Sequence, residues 1–313
     1  MMTNSDVIIT LCSKLANETV SPLESSEWSI IAARLRSARL QPIDMLTFSR
    51  HDFNTLLNLD ENETERIRLL FDRYDRLMNR FRRYADYGIT IVTRADREYP
   101  AKLKAKLGNK CPPIFYCAGD ISILSAELIG FTGSRKLDAD DERFTADTAR
   151  KVAAHGYGIV SGGARGADSI AVRNALACGR RCAEFLPDSL LQRSLRSTAE
   201  DAINNRQLVM LSAALPEDEF TAAAALTRNR YIYAQSTASI VVRSDHNKGG
   251  TWSGASYAIR NDICPVFCRE DAALPGNRAL IQKGAYPITN SWDGNIVRTL
   301  NELDQNHSQL SFF

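Results

Sequence analysis

Residues 158–177, GIVSGGARGADSIAVRNALA, carry the reading of the fold. Positions 158–160 are a short apolar run of the kind that fills a buried strand. Ser161-Gly162-Gly163-Ala164-Arg165-Gly166-Ala167-Asp168 then turns directly into the helical pattern 170–177. The same alternation extends in both directions. Apolar runs at 128–132, 182–186, 208–211, 240–242 and 265–268 are separated by helical patterns such as 144–154 and 253–259. Short continuous apolar strands between helices imply a parallel sheet covered on both faces. The expected fold class is therefore α/β, a doubly wound, mostly parallel Rossmann-like sheet.

Upstream the periodicity changes. Ile67, Leu70, Phe71, Tyr74, Leu77, Met78, Phe81 and Tyr84 recur at three- and four-residue steps, which predicts one long amphipathic helix ending near Gly88. Asp60 to Glu63 supplies a capping signal for it, and Ser21-Pro22-Leu23-Glu24 supplies one for an earlier helix. Arg66, Arg68, Arg73, Arg76, Arg80, Arg82 and Arg83 fall on the polar face, either as a solvated surface or as a nucleic-acid contact. The expected organisation is a helical N-terminal domain over 1–86, the Rossmann-like domain over 87–300 and a tail over 301–313. With 313 residues, two domains of ordinary size are expected.

Composition narrows the classes. Hydrophobic residues are 44% and charged residues 24%, and no apolar run is long enough for a membrane span. The N-terminus lacks the basic segment of a secretory signal, so a cytoplasmic protein without membrane contact is expected. Lys plus Arg is 39 against 37 for Asp plus Glu, so net charge alone neither demands nor forbids nucleic acid. The seven cysteines lack zinc-site spacing and read as small buried hydrophobes. The four histidines are scattered. Neither a metal nor a cofactor is expected.

Ligands of such sheets sit beyond the carboxyl ends of the strands. Gly133, Ser134 and Arg135 follow the first core strand, offering close backbone approach, a hydroxyl and a planar cation. Ser161, Gly162, Gly163, Arg165 and Gly166 follow the second, at a helix start suited to anions. That turn is neither a Walker A loop nor G-x-G-x-x-G, which argues against a nicotinamide dehydrogenase. Asp168 either caps its helix or orients a ligand. Lys248, Gly249, Gly250 and Thr251 make a second anion-friendly turn. Arg228, Asn229 and Arg230 are either phosphate partners or an ion-pair cluster pinning a helix. Pro275-Gly276-Asn277-Arg278 and Lys283-Gly284-Ala285 read as further turns. A phosphate-rich ligand is the common denominator.

From about Tyr87 to Thr289 these residues, in this order, resemble the DprA/Smf family of bacterial DNA-processing proteins. The resemblance runs through Gly88-Ile89-Thr90, Tyr99-Pro100-Ala101-Lys102-Leu103, Pro113-Ile114-Phe115-Tyr116 and Gly119-Asp120. It continues through Gly133-Ser134-Arg135, the 161–168 turn, Arg228-Asn229-Arg230, Gly276-Asn277, Leu280-Ile281 and Gly284-Ala285. It implies a non-enzymatic Rossmann-like domain of the SLOG superfamily type that binds single-stranded DNA. It also implies homodimers and the RecA recombinase as partner, in transformation or recombination. The chain departs from the family pattern at Gly163, Ala167 and Val172. It also has a longer alanine-rich stretch after Phe220, and 248–251 stand in place of Ser-Gly-Ser. Little chain follows Thr299 for the family's common winged-helix domain. These departures mark a divergent member, open to a mobile-element or defence role.

Two other readings share the same residues. One is a nucleotide sensor controlling an effector. The other is a phosphoribohydrolase, faintly suggested by Gly249-Gly250-Thr251 but lacking the catalytic glutamate, since Trp252, Ser253 and Gly254 follow. Finally, Gln309, Leu310, Ser311, Phe312 and Phe313 resemble the short peptide by which bacterial proteins dock on the replication sliding clamp.

Overall fold

The structure is a computed structural model that describes residues 2–15 and 18–302. The chain divides into two compact units. The first comprises Met1–Gly119 with Asp188–Leu195 and Leu211–Glu219; the second comprises Asp120–Pro187, Arg196–Met210 and Phe220–Phe313.

In the first unit, helices α1 (Asn4–Cys12), α2 (Ser25–Ser37), α3 (Arg50–Leu57), α4 (Glu61–Phe71) and α5 (Tyr74–Asp86) precede strand β1 (Ile89–Thr93). Helix α6 (Ala101–Leu107) leads to β2 (Ile114–Gly119), which pairs antiparallel with β1, Ile89 opposite Ala118 and Thr93 opposite Ile114. Trp28, Leu35, Phe53, Ile67, Leu70, Leu77 and Phe81 form its buried interior. Reciprocal caps start four of these helices, α1 to α4. In α4 the Glu63 amide donates to Asp60 Oδ1 at 2.8 Å while the Asp60 amide donates to Glu63 Oε2 at 2.9 Å. In α2 the cap is Glu24 with Glu27, three residues later than Ser21-Pro22 suggests.

The long helix expected from 67 to 84 is two helices. The chain breaks at Asp72-Arg73, and Arg73 is buried rather than solvated, with 1% exposure. Its guanidinium donates to Thr10 O at 2.6 and 3.0 Å and to Ser13 O at 2.8 Å, and pairs with Glu18. Carbonyls left by the end of α1 thus draw the side chain inward. Periodicity cannot register that, because it treats every arginine as polar surface.

The second unit contains β3 (Leu128–Thr132), α7 (Ala139–Ala154), β4 (Gly158–Ser161), α8 (Ala167–Ala177) and β5 (Cys182–Leu186). Next along the chain come α9 (Leu190–Ser194), which belongs to the first unit, α10 (Ser197–Asn204) and β6 (Leu208–Ser212). They are followed by α11 (Ala222–Gln235), β7 (Ala238–Val241), α12 (Gly249–Arg260), β8 (Val266–Arg269), α13 (Pro275–Gln282) and β9 (Tyr286–Ile288). The strands run β6-β5-β4-β3-β7-β8-β9. The pairs β3–β4, β3–β7, β4–β5, β7–β8 and β8–β9 are parallel. Every residue of β3, β4, β5, β7 and β8 is buried. This is the doubly wound sheet expected from the alternation, and its order reverses direction between β3 and β7.

Residues 275–278 are not a free turn but the first turn of α13. Asn277, with 0% exposure, explains why. Its amide nitrogen donates to Val242 O and Arg269 O, both at 2.9 Å, and its oxygen accepts from the Ser244 amide at 2.8 Å. One side chain therefore stitches the ends of β7 and β8 to the helix.

Candidate functional site

A cleft of about 480 Å³ opens where the strand order reverses. Gly133, Ser134 and Arg135 form its edge beyond β3, and Ala164 and Asp168 lie beyond β4. Arg228 and Asn229 come from α11, and Lys248, Gly249, Gly250 and Thr251 from the start of α12.

The glycine turn after β4 is organised from within. Gly166 is the N-cap of α8, with φ at 83°. A side chain there would meet Ser134 O at 2.4 Å, so both space and backbone conformation demand glycine. Asp168 neither caps the helix nor faces outward. Its Oδ2 accepts from the Gly162 amide at 3.1 Å and the Ala164 amide at 3.3 Å, and lies 3.8 Å from Arg228 Nη1. Burial pushes this carboxyl above the ordinary range, opposed by the Arg228 guanidinium and the two amides. Arg228 in turn packs on Gly162, where a Cβ would fall 1.1 Å from its Nη1. Ser161 is buried and its hydroxyl donates to Phe131 O at 2.6 Å. The amides of Gly162 and Ala164 are therefore already engaged by the protein's own carboxylate.

The edge beyond β3 is pinned differently. The Ser134 amide donates to Arg243 O at 3.0 Å, and Ser134 Oγ accepts from the Lys136 amide at 3.0 Å. The Arg243 guanidinium lies 2.9 Å from Asp138 and 2.6 Å from Asp141, which raises its pKa further. Asp141 also holds Arg269 at 2.5 Å. Arg243 is thus neutralised where it lines the cleft. Arg135 is exposed, its guanidinium 5.2 Å from the Phe220 ring centroid.

Opposite stands α12. Its N-cap, Lys248, is exposed and no side chain caps the helix, so its first amides retain the anion affinity of an open N-terminus. Asn229 Nδ2 donates to Gly250 O at 3.0 Å, tying α11 to this turn.

Gly133, Ser134, Arg135, Arg228, Asn229 and residues 248–251 thus share one cleft. Ser161, Gly162, Gly163 and Gly166 are outside its lining, and Ser161, Gly162 and Gly166 pack beneath it. Arg165 and Arg230 are exposed and outside the lining, and Arg230 lies 5.0 Å from the Tyr257 ring centroid. Gln309, Leu310, Phe312 and Phe313 lie outside the described residues. Sequence reasoning missed Arg243, Asp245, Phe220 and Leu226 as cleft residues. The strand-end rule reaches Arg243 and Asp245, which follow β7 closely. Phe220 and Leu226 enter only through folding. Among the described residues, no group of three or more His, Cys, Asp or Glu could hold a metal ion.

The profile of the DNA recombination-mediator protein A family matches residues 90–299. No curated protein matches the chain. The X-ray structure of DNA processing protein A (DprA) from Streptococcus pneumoniae is similar with a TM-score of 0.71 at 17% identity, covering 93% of this chain and 96% of that one. DNA processing protein A from Helicobacter pylori is similar with a TM-score of 0.53 at 26% identity, covering 68% and 96%. That structure was described for a unique single-stranded DNA binding mode. With about two thirds of its length matching the family profile, this chain belongs to the DNA recombination-mediator protein A family.

Proposed function

We propose that the cleft is a phosphate track for single-stranded DNA and that the protein acts as a non-enzymatic DNA-processing factor. One observation carries this reading. Arg135 and Lys248, exposed and without a carboxylate partner among the described residues, border a cleft into which the uncapped α12 opens. Cations and backbone amides grip phosphates without reading sequence, and the Phe220 ring beside Arg135 gives bases a face to stack on. Gly162, Gly166, Arg228 and Asp168 shape the turn beneath. Arg165 and Arg230 extend the positive surface beside it.

By kinship with the family, the protein protects single strands and hands them to the RecA recombinase, working as a homodimer. The setting is transformation, recombination, a mobile element or a defence system. The tail at 309–313 docks on the sliding clamp. Deleting it should abolish a clamp pulldown and leave DNA binding intact.

The direct test is fluorescence anisotropy with a labelled single strand over a salt series, with duplex and free nucleotides as competitors. Expected is binding that weakens steeply with salt and resists both competitors. Arg135→Ala and Lys248→Ala should each lower the salt slope by about 0.7. Saturable binding of a mononucleotide without strand binding would replace this reading with a nucleotide sensor.

A further inference from the structure

Asp245 is out of keeping with the cleft it lines. The lining carries Arg135, Arg228, Arg243 and Lys248, and only two carboxylates, Asp168 and Asp245. Asp168 is buried and taken up by the Gly162 and Ala164 amides and by Arg228. Asp245 is exposed, and its carboxylate has no partner among the described residues. Two cations of the same cleft stand close to it in sequence and leave it unneutralised. Arg243 turns to Asp138 and Asp141, at 2.9 and 2.6 Å. Lys248 follows Asn247, whose left-handed backbone at φ 57° redirects the chain into α12.

An exposed aspartate on a helix face is simply solvated. This one stands just past the end of β7, where the strand order reverses, on backbone that is held from behind. The Ser244 amide donates to Asn277 Oδ1 at 2.8 Å. Gly276 packs so closely that a Cβ on it would fall 2.0 Å from Ser244 O and 2.8 Å from the Asp245 carbonyl carbon. The fold thus fixes the segment that bears the carboxylate.

A carboxylate repels phosphates, so this position does not serve the backbone of a strand. It only accepts hydrogen bonds, and two parallel donors suit its two oxygens best. Among DNA bases guanine alone presents such a pair on one edge, N1–H beside the N2 amine. The amines of cytosine and adenine stand next to a ring nitrogen whose lone pair repels the second oxygen. Thymine N3–H stands between two carbonyls. We propose that Asp245 reads the base and gives the phosphate track a preference for guanine at one position. The proposal rests on the single-strand reading of the cleft and adds a specificity-determining residue to it.

The test is fluorescence anisotropy of the full chain, in EDTA, with labelled strands of equal length. One is all thymine; in the others thymine alternates with cytosine, guanine or inosine, which is guanine without its N2 amine. A bidentate pair discriminates by about fivefold at the low end, and alternation puts guanine in the site in half of the registers. The guanine strand should therefore bind about threefold more tightly than the thymine and cytosine strands. The inosine strand, with one donor left, should fall between them. Asp245→Asn, its fold verified by thermal melting, should abolish the preference and, with a like charge gone, bind the all-thymine strand more tightly. A residue with a merely structural role would weaken every strand alike. Equal affinity of the parent for all four strands would overturn the proposal and leave the single-strand reading standing. So would a guanine preference that survives Asp245→Asn. Strengthening by magnesium in the parent but not in Asp245→Asn would overturn it too, by assigning the carboxylate to a bridging cation. Failure of every strand to bind would overturn the underlying reading, and this proposal with it.

Discussion

Asp168, Arg228 and Gly162 behave as one unit. The carboxylate accepts from two loop amides and faces a buried guanidinium that occupies the space of an absent Cβ. Removing one member leaves the others buried and uncompensated. Asp168→Ala is expected to cost about 3 kcal/mol in urea unfolding and to weaken strand binding through collapse of the turn. Gly162→Ala must expel Arg228 from its seat, and about 1–3 kcal/mol is expected to be lost. A melting temperature equal to the parent's in Gly162→Ala would show that Arg228 relocates freely. These changes differ in kind from Arg135→Ala and Lys248→Ala, exposed cations whose loss should weaken binding with little effect on stability.

Elements are placed by side chains that reach beyond their own helix. Arg73 separates α4 from α5 because it serves carbonyls at the end of α1 and Glu18 rather than solvent. Arg73→Met strands those acceptors, and about 3–5 kcal/mol should be lost, measured by chemical denaturation. An unchanged midpoint would mean that the two helices are held apart by something else. Asn277 does the corresponding work for α13, with three hydrogen bonds to backbone around β7 and β8. Asn277→Ala should cost about 2–3 kcal/mol. By loosening the segment after β7, which leads to Lys248, it should also weaken strand binding. Binding that survives while stability drops would uncouple α13 from the cleft.

For the molecule as a whole, alkaline pH is the informative axis. Burial pushes the Tyr116 phenol from its ordinary 10.0 up to about 12, and pushes Tyr84 and Tyr233 upward as well. Below pH 10 these phenols are neutral folded or unfolded, so they leave stability unchanged. Above it the unfolded chain releases protons that the folded chain retains, so stability falls as pH rises from 10 towards 12. Each such phenol contributes up to about 1.4 kcal/mol per pH unit in that window. Tyr116→Phe should flatten the decline without altering stability at neutral pH by the same margin. A decline of unchanged steepness would assign the alkaline lability to other groups.

The alternation of apolar runs with helical patterns was legible because strand burial on both faces leaves continuous apolar runs. The turns at 133–135, 161–168 and 248–251 were legible as turns because glycines and small residues cluster where a strand hands over to the next segment. Side-chain reach was not legible. Whether Arg73 meets water or carbonyls, whether Asp168 caps a helix or braces a loop, and whether 275–278 are a turn or a helix start all depend on partners distant in sequence. Gly162 is obligatory only because Arg228 arrives from α11, and Arg243 is quenched only because Asp138 and Asp141 stand beside it. Local pattern dictates which face of an element is apolar. Charge compensation is a property of three-dimensional neighbours, and so it was settled when the chain packed.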